Sequence, residues 1–514
     1  MKRIGIDVGG TNTDAVLIDG DTVIATTKTF TTADVTSGVK TALAEIVQKA
    51  GQAADDVHAV MIGTTHYTNA VVERRNLGRA AAIRVSLPAS ASLPPFCDWP
   101  VDLSDKVNGG AHMVHGGHEY DGRAVVPMDE LEVAEAAREI RKNGVAAVAI
   151  SATFSPLTAE CETRAAEIVK NEHPDAHITL SSALGRIGLL ERENVALMNA
   201  SLIDLAAEIT EAFSDAVSSS GLNAALFITQ NDGTVARAEM ARDFPVFSFA
   251  SGPTNSMRGA ALLTGIEEAM VCDVGGTTAD IGCLINGFPR EANNVVKVGG
   301  VRTLFRMPDL LSIAIGGGTI ISDDAGVVGP QSVGYRLGHE ALVFGGKTLT
   351  CTDIAVAAGL LDVGDKTRVD HLDTTLINRA LSTIHERVAE AVDRMKTDAT
   401  PVPLLAVGGG AMLIPQSIPG ISEVVHVEHE SVANAVGAAI AQISGETDRI
   451  YRDMSRKDVI DIAQASAIEN AVNAGAERET IQIIEVEDLP LSYLPGNAIR
   501  ARVRVVGEAR STPL

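Results

Sequence analysis

Asp7-Val8-Gly9-Gly10-Thr11-Asn12-Thr13-Asp14 stands at the start of the chain, and Asp273-Val274-Gly275-Gly276-Thr277-Thr278-Ala279-Asp280 repeats it past the middle. Six of the eight positions are identical. The flanks agree in kind. Apolar runs lead in (residues 4–8 and 270–274) and out (residues 15–18 and 281–285). Each unit then meets a turn dipeptide, Asp19-Gly20 or Asn286-Gly287, of the type that closes hairpins. The unit therefore reads as strand, glycine turn, strand, turn, and the chain contains it twice.

Two glycines at a hairpin tip remove side chains, so backbone N–H groups can approach an anion closely. Thr11, Asn12 and Thr13 add side-chain donors, as do Thr277 and Thr278 in the second copy. An aspartate at the end of the incoming strand would repel a phosphate, unless a divalent cation lies between them. Two such turns facing one another would clamp a polyphosphate, with Asp7 and Asp273 reaching Mg²⁺ through water. The candidate anion-binding residues are Gly9, Gly10, Thr11, Asn12, Thr13, Gly275, Gly276, Thr277 and Thr278. The candidate catalytic residues are Asp7, Thr11, Asp273 and Thr277. Asp14 and Asp280 close each turn, either ordering its backbone or holding metal-bound water. A single Asp-Gly-Gly is a common turn sequence; two copies with matched flanks are not.

A third glycine cluster, Gly408-Gly409-Gly410, follows the strand-like residues 404–407, with a helix expected after Pro415. There a backbone could lie flat against adenine and ribose. A fourth, Gly316-Gly317-Gly318, follows residues 311–315. It has two readings: a contact to the terminal phosphate, or a packing turn.

Composition narrows the partners. The 514 residues are 46% hydrophobic and 21% charged, enough to bury a large core in two or three domains. Aromatic residues make up only 3%, which argues against a base-stacking nucleic-acid binder. With 42 Lys+Arg against 66 Asp+Glu, the net charge of −24 would repel nucleic acid and anionic lipid. The five cysteines (Cys97, Cys161, Cys272, Cys283, Cys351) contain no C-x-x-C pair. A disulfide framework, a zinc knuckle and an iron–sulfur site are therefore not expected, and a cytoplasmic location is. The N-terminus shows no signal-peptide pattern, and no apolar stretch has the length to span a bilayer.

Phosphate turn, second phosphate turn, then adenosine segment is the order seen in the actin / sugar kinase / Hsp70 ATPase superfamily. Within it the chain resembles the hydantoinase/oxoprolinase family, and there the ATP-binding A subunit. The segments that carry the resemblance are residues 5–14, Gly63-Thr64-Thr65-His66 with Thr68-Asn69-Ala70 and Glu73-Arg74, Ser251-Gly252-Pro253, residues 273–280, Gly316-Gly317-Gly318, Thr350 with Thr352-Asp353, and residues 431–437. It runs from residue 1 to about residue 445. Better-known members are longer and carry an additional C-terminal region, whereas residues 446–514 here form a short acidic and apolar tail.

The resemblance implies an α/β fold of two duplicated actin-like (ribonuclease H-like) ATPase lobes with a nucleotide cleft between them. Residues 1–240 are expected to form the first lobe, with a loop-rich insertion near 85–125 whose Pro, Gly, Ser and His content suits a lid. Residues 241–445 form the second lobe, and 446–514 a C-terminal helix and strand-pair appendix for edge packing or partner docking. Periodicity predicts helices over 31–50, 158–172, 189–220, 374–396 and 455–475, and strands over 146–150, 481–486 and 501–506.

Other candidates each have a plainer reading. His112, His115 and His118 have metal-like spacing, but Gly109, Gly110, Gly116 and Gly117 favour a solvated loop. Gly338-His339-Glu340 is either an acid/base pair near Gly316 or a polar loop. His66 faces the cleft or belongs to the core. His426 and His429 read as surface residues, and Cys272 and Cys283 as small buried hydrophobes.

The family resemblance implies ATP and Mg²⁺ as cofactors and a cyclic amide (hydantoin, 5-oxoproline or lactam type) as substrate. It further implies hydrolysis through phosphorylation of the amide carbonyl, a B-type partner subunit and an oligomeric assembly. Two other readings keep the ATP site: a small-molecule kinase, and an ATP-driven chaperone that reactivates a partner enzyme. Carboxylation in place of hydrolysis is a further variant.

Overall fold

The computed structural model describes residues 1–9, 12–30, 35–184, 188–292, 296–304, 307–322, 327–427, 429–492 and 496–510. Strand Lys2–Val8 is buried along almost its whole length, as a central strand covered on both faces must be. Asn12–Asp19 pairs with it antiparallel, and Thr22–Phe30 pairs antiparallel with Asn12–Asp19. On its other side Val57–Thr64 and then Ala225–Thr229 run parallel. Helix Val35–Ala50 places Val39, Leu43 and Ile46 in this core, the stripe its periodicity predicts.

The second sheet is built the same way. Ala269–Val274 is central, Ala279–Ile285 is its antiparallel neighbour, and Val402–Val407 and Ile421–His426 continue in parallel. Leu310–Ile313 and Phe288–Pro289 both add antiparallel to Ala279–Ile285. Helix Thr374–Met395 packs Ile384, Val388 and Val392 into this core. Outward from each central strand, both sheets run antiparallel twice on one side and parallel twice on the other.

Two helices join the sheets. Ala433–Ile440 lies so close to the first sheet that a Cβ on Gly5 would stand 2.0 Å from Ala435 O. It crosses Ser251–Thr264 at small residues: a Cβ on Gly437 would stand 1.7 Å from Asn255 O, and one on Gly259 2.0 Å from Ala433 O.

Residues 85–125 do not form the loop-rich insertion expected of them. Strands Ala80–Leu87, Asn108–His115, Ala147–Ala152 and His177–Leu180 make a four-stranded, wholly parallel sheet. Helices Glu130–Lys142 and Glu160–Glu172 pack on it. Gly116, Gly117 and Gly122 lie in its connections, whereas Gly109 and Gly110 stand within strand Asn108–His115. The long helix Leu189–Ser219 runs from this sheet back to the first core.

The tail forms a helix and a strand pair that pack at the edge of the first sheet. Val235–Arg237 pairs with Ala225–Thr229 and with Ile443–Tyr451, which begins before residue 446. Ile499–Gly507 and Gln482–Pro490 follow antiparallel, so the first sheet reaches nine strands. Helix Arg456–Asn473 covers the added strands through Val459, Ala463, Ala467 and Ala471. After Pro415 there is no helix: the single turn Ala411–Leu413 leads through Pro415, Pro419 and Gly420 into strand Ile421–His426, because two prolines in five residues interrupt helical hydrogen bonding. Among the described residues no helix is long and apolar enough to cross a membrane.

Candidate functional site

The two hairpins have matching geometry. Asp7 stands opposite Asp14, and Asp273 opposite Asp280. Gly9 N–H donates to Asn12 O at 3.0 Å, and Gly275 N–H donates to Thr278 O at 2.9 Å. Gly10 and Thr11 lie outside the described residues. Both strands carry their aspartate to the end of a central strand, so both carboxyls are buried.

That burial has an electrostatic consequence. The Asp7 carboxyl is pushed up to about 7, first by desolvation and then by Asp14, with Asp273 adding to the repulsion. The Asp273 carboxyl is likewise pushed up to about 7, by desolvation, then Asp280, with Asp14 also contributing. Acids from the two hairpins therefore share one electrostatic neighbourhood. Lys28 opposes the repulsion on both. Its ammonium lies 3.1 Å from Asp14 Oδ1 and donates to Ser431 O at 2.9 Å. It also stands 3.6 Å from where a Gly409 Cβ would be.

Asp7 is held by residues from both halves of the chain. Asn434 Nδ2 donates to Asp7 Oδ2 at 3.3 Å. Asp7 Oδ1 is buried with no partner among the described residues. A Cβ on Gly63 would stand 2.8 Å from that oxygen, and one on Gly252 4.0 Å. Glycine at these positions leaves the oxygen open. The third cluster is attached to the second hairpin: Gly410 N–H donates to Val274 O at 2.7 Å, and Gly408 N–H to Glu430 O at 2.9 Å. Gly408 has φ +89°, and a Cβ there would stand 2.3 Å from Asp273 Oδ1, so only glycine fits.

Gly316, Gly317 and Gly318 back the second tip. Gly317 N–H donates to Gly275 O at 3.0 Å and Gly318 N–H to Gly276 O at 2.7 Å. A Cβ on Gly316 would stand 2.5 Å from Thr277 N. Behind them Thr352 donates to Gly317 O, and Thr350 with Asp353 forms a capping box at helix Cys351–Ala357. This is a packing role for the cluster; it presents no side chain to a ligand.

The remaining candidates scatter. His66 is half-buried, and burial lowers its pKa. Its Nδ1 lies 2.5 Å from Thr64 Oγ1, and Thr64 pairs with Val8 beside the first hairpin. His112 and His115 lie on strand Asn108–His115, where His115 meets Glu132 at 2.9 Å. His118 is buried with its Nδ1 3.8 Å from Cys161 Sγ. His339 and Glu340 end the short helix Leu337–Glu340, where Glu340 pairs with Arg336. Among the described residues no three His, Cys, Asp or Glu side chains converge as a metal cage.

Mg²⁺ is tested by the donors themselves. An unpartnered buried oxygen on Asp7, with two buried carboxyls that resist ionisation as they stand, is a set that a divalent cation would stabilise. The residues fit.

Comparison with known proteins follows from this geometry. The profile of the hydantoinase/oxoprolinase N-terminal region matches residues 3–173, and the hydantoinase/oxoprolinase profile matches residues 192–367. The chain is 25% identical over 429 residues to an uncharacterised protein of Methanocaldococcus jannaschii, covering 76% of this chain and 62% of that one. It is 25% identical over 404 residues to the acetophenone carboxylase gamma subunit of Aromatoleum aromaticum, covering 70% and 54%. It is 26% identical over 399 residues to the caprolactamase subunit alpha of Pseudomonas jessenii, covering 70% and 55%. The match thus spans between half and two thirds of each relative's length. Among solved structures, ATP-dependent caprolactamase from Pseudomonas jessenii superposes with TM-score 0.75 at 20% identity, over 100% of this chain and 88% of that one. Nucleotide-free acetone carboxylase does so with TM-score 0.72 at 16% identity, over 99% and 88%. At these identities the likeness is one of fold. The two profiles together cover most of the chain, which belongs to the hydantoinase/oxoprolinase family.

Proposed function

We propose that the two sheets are duplicated actin-like ATPase lobes, and that the chain uses Mg-ATP to activate the carbonyl of a cyclic amide of hydantoin, 5-oxoproline or lactam type. The observation that carries this is the pair of hairpins whose buried aspartates, Asp7 and Asp273, repel within one neighbourhood. Support for the substrate class comes from the relative named caprolactamase subunit alpha; the one named acetophenone carboxylase gamma subunit supports a carbonyl substrate more broadly.

A ring amide resists water because its nitrogen lone pair is delocalised into the carbonyl. Transfer of the γ-phosphoryl group to the amide oxygen forms one O–P bond and breaks another, releasing ADP; the ring N–H loses its proton. Water then adds to the imidate carbon and the C–N bond breaks; the nitrogen takes up a proton and leaves as an amine, and a second water hydrolyses the resulting acyl phosphate to the acid and phosphate. In this reading donors between Gly9 and Asn12, Thr11 among them, and between Gly275 and Thr278 hold the phosphates, and Lys28 offsets their charge. Gly408, Gly409 and Gly410 border the adenosine. Asp7 and Asp273 would hold Mg²⁺, which would supply charge neutralisation on the transferring group. A B-type subunit completes the enzyme and carries the hydrolytic step.

The test is to co-purify the chain with its B-type subunit and assay hydantoin, 5-oxoproline and caprolactam with ATP. Ring-opened acid should form in step with ADP, and Asp7→Asn or Asp273→Asn should lower the rate by about 10²-fold or more. A phosphorylated hydroxyl product, or ATP turnover with no ring opened, would refute the proposal.

A further inference from the structure

Among the described residues, the outermost strand of the nine-stranded sheet, Gln482–Pro490, has a neighbour on one side only. Soluble proteins protect such edges, because a free row of backbone N–H and C=O groups recruits another strand. Here the edge is long and apolar. Ile483, Ile484, Val486 and Leu489 are each between 42% and 55% exposed. The two faces differ in chemistry. Ile483 and Val486 pair with Val505 and Val503, on the side where helix Arg456–Asn473 covers the neighbouring strands and reaches this one through the ion pair of Arg456 with Asp488. Glu485 and Glu487 pair with Arg504 and Arg502 on the opposite side. On that side Asp232, Glu291, Glu446, Asp448, Glu485 and Glu487 outnumber the arginines they meet, Arg500, Arg502 and Arg504.

We propose that this strand is the docking edge for the B-type partner subunit, which adds an extended segment to the sheet. The incoming strand alternates apolar residues, which continue the Ile483–Val486 side, with Lys or Arg, which answers the surplus carboxylates. A second copy of this chain fits poorly. Antiparallel self-pairing centred on Val486 sets Glu485 against Glu487 twice, and each copy carries a net charge of −24. The inference rests on the partner reading above.

The experiment uses the full chain co-expressed with the B-type subunit, with complex formation read by light scattering after size exclusion and by a titrated dissociation constant. Ile484→Lys/Val486→Lys should weaken the complex by about tenfold or more, and Glu487→Lys should weaken it most at low salt. Nucleotide binding by the variants should be unchanged, which shows that they fold. An unchanged dissociation constant in both variants overturns the docking edge alone. So does a change confined to self-association of this chain. If the unaltered chain forms no complex with the B-type subunit, the partner reading falls, and this inference falls with it.

Discussion

A carboxyl that is buried beside other carboxyls destabilises the empty protein and prepares it for a cation. Asp7 and Asp273 are each raised from 3.8 to about 7. Between those values the folded chain holds protons that the unfolded chain releases. Stability of the nucleotide-free protein therefore falls as pH rises through this window. Asp7→Asn removes one repelling charge and keeps a side chain that Asn434 can still meet. It should stabilise the free protein at about pH 8 by on the order of 2 kcal/mol, and by almost nothing near pH 4. The same variant should lose Mg-dependent nucleotide binding. Thermal melts at the two pH values, paired with nucleotide titrations, check both. Destabilisation at the higher pH would show that the charge is already compensated. The aspartates were legible because an octapeptide repeats; Lys28, Asn434 and Gly63 were not. Each is a single residue from a separate segment, brought to Asp7 or Asp14 only by strand register and by the crossing of a helix from the far half.

At the scale of elements, periodicity located the helices within a few residues, as with Leu189–Ser219 and Thr374–Met395, because each buries one regular stripe. It failed over 85–125, where the strand Asn108–His115 carries two histidines and buries only two residues. It also missed how helices Ser251–Thr264 and Ala433–Ile440 meet, since close approach depends on what faces each glycine. That crossing sets the site: Asn434 lies on one helix and Asn255 on the other, and Gly437 separates them by almost nothing. Gly437→Ala would force the helices apart. It should cost about 2 kcal/mol or more in stability through overpacking, and weaken nucleotide binding by about tenfold as Asn434 moves from Asp7. Urea unfolding and a nucleotide titration on one preparation measure both. Lost stability with full affinity would mean that Asn434 does not position Asp7.

At the scale of the whole molecule, the chain order and the spatial order disagree, and this makes the halves interdependent. Helix Ala433–Ile440, late in the chain, covers the first sheet, and strand Ile443–Tyr451 extends that sheet. Hairpin Val296–Thr303 reaches the other way. Its Val298 and Val301 are buried in the first core, Arg74 donates to Gly299 O at 2.9 Å, and Asn194 donates to Arg302 O at 3.1 Å. A fragment of residues 1–240 would leave the face at Gly5 bare and the Val298–Val301 pocket open. Several apolar side chains would be returned to water, each worth about 1.5–3 kcal/mol, against a net stability of about 5–15 kcal/mol for a domain. The fragment should therefore fail to fold alone, and the full chain should unfold in one calorimetric transition near neutral pH without nucleotide. Near-UV circular dichroism of the fragment and scanning calorimetry of the full chain are the measurements. A folded fragment, or two separated transitions, would mean that the crossing helix and the exchanged hairpin contribute little, and that the two sheets could then move without the contacts that link both halves to Asp7.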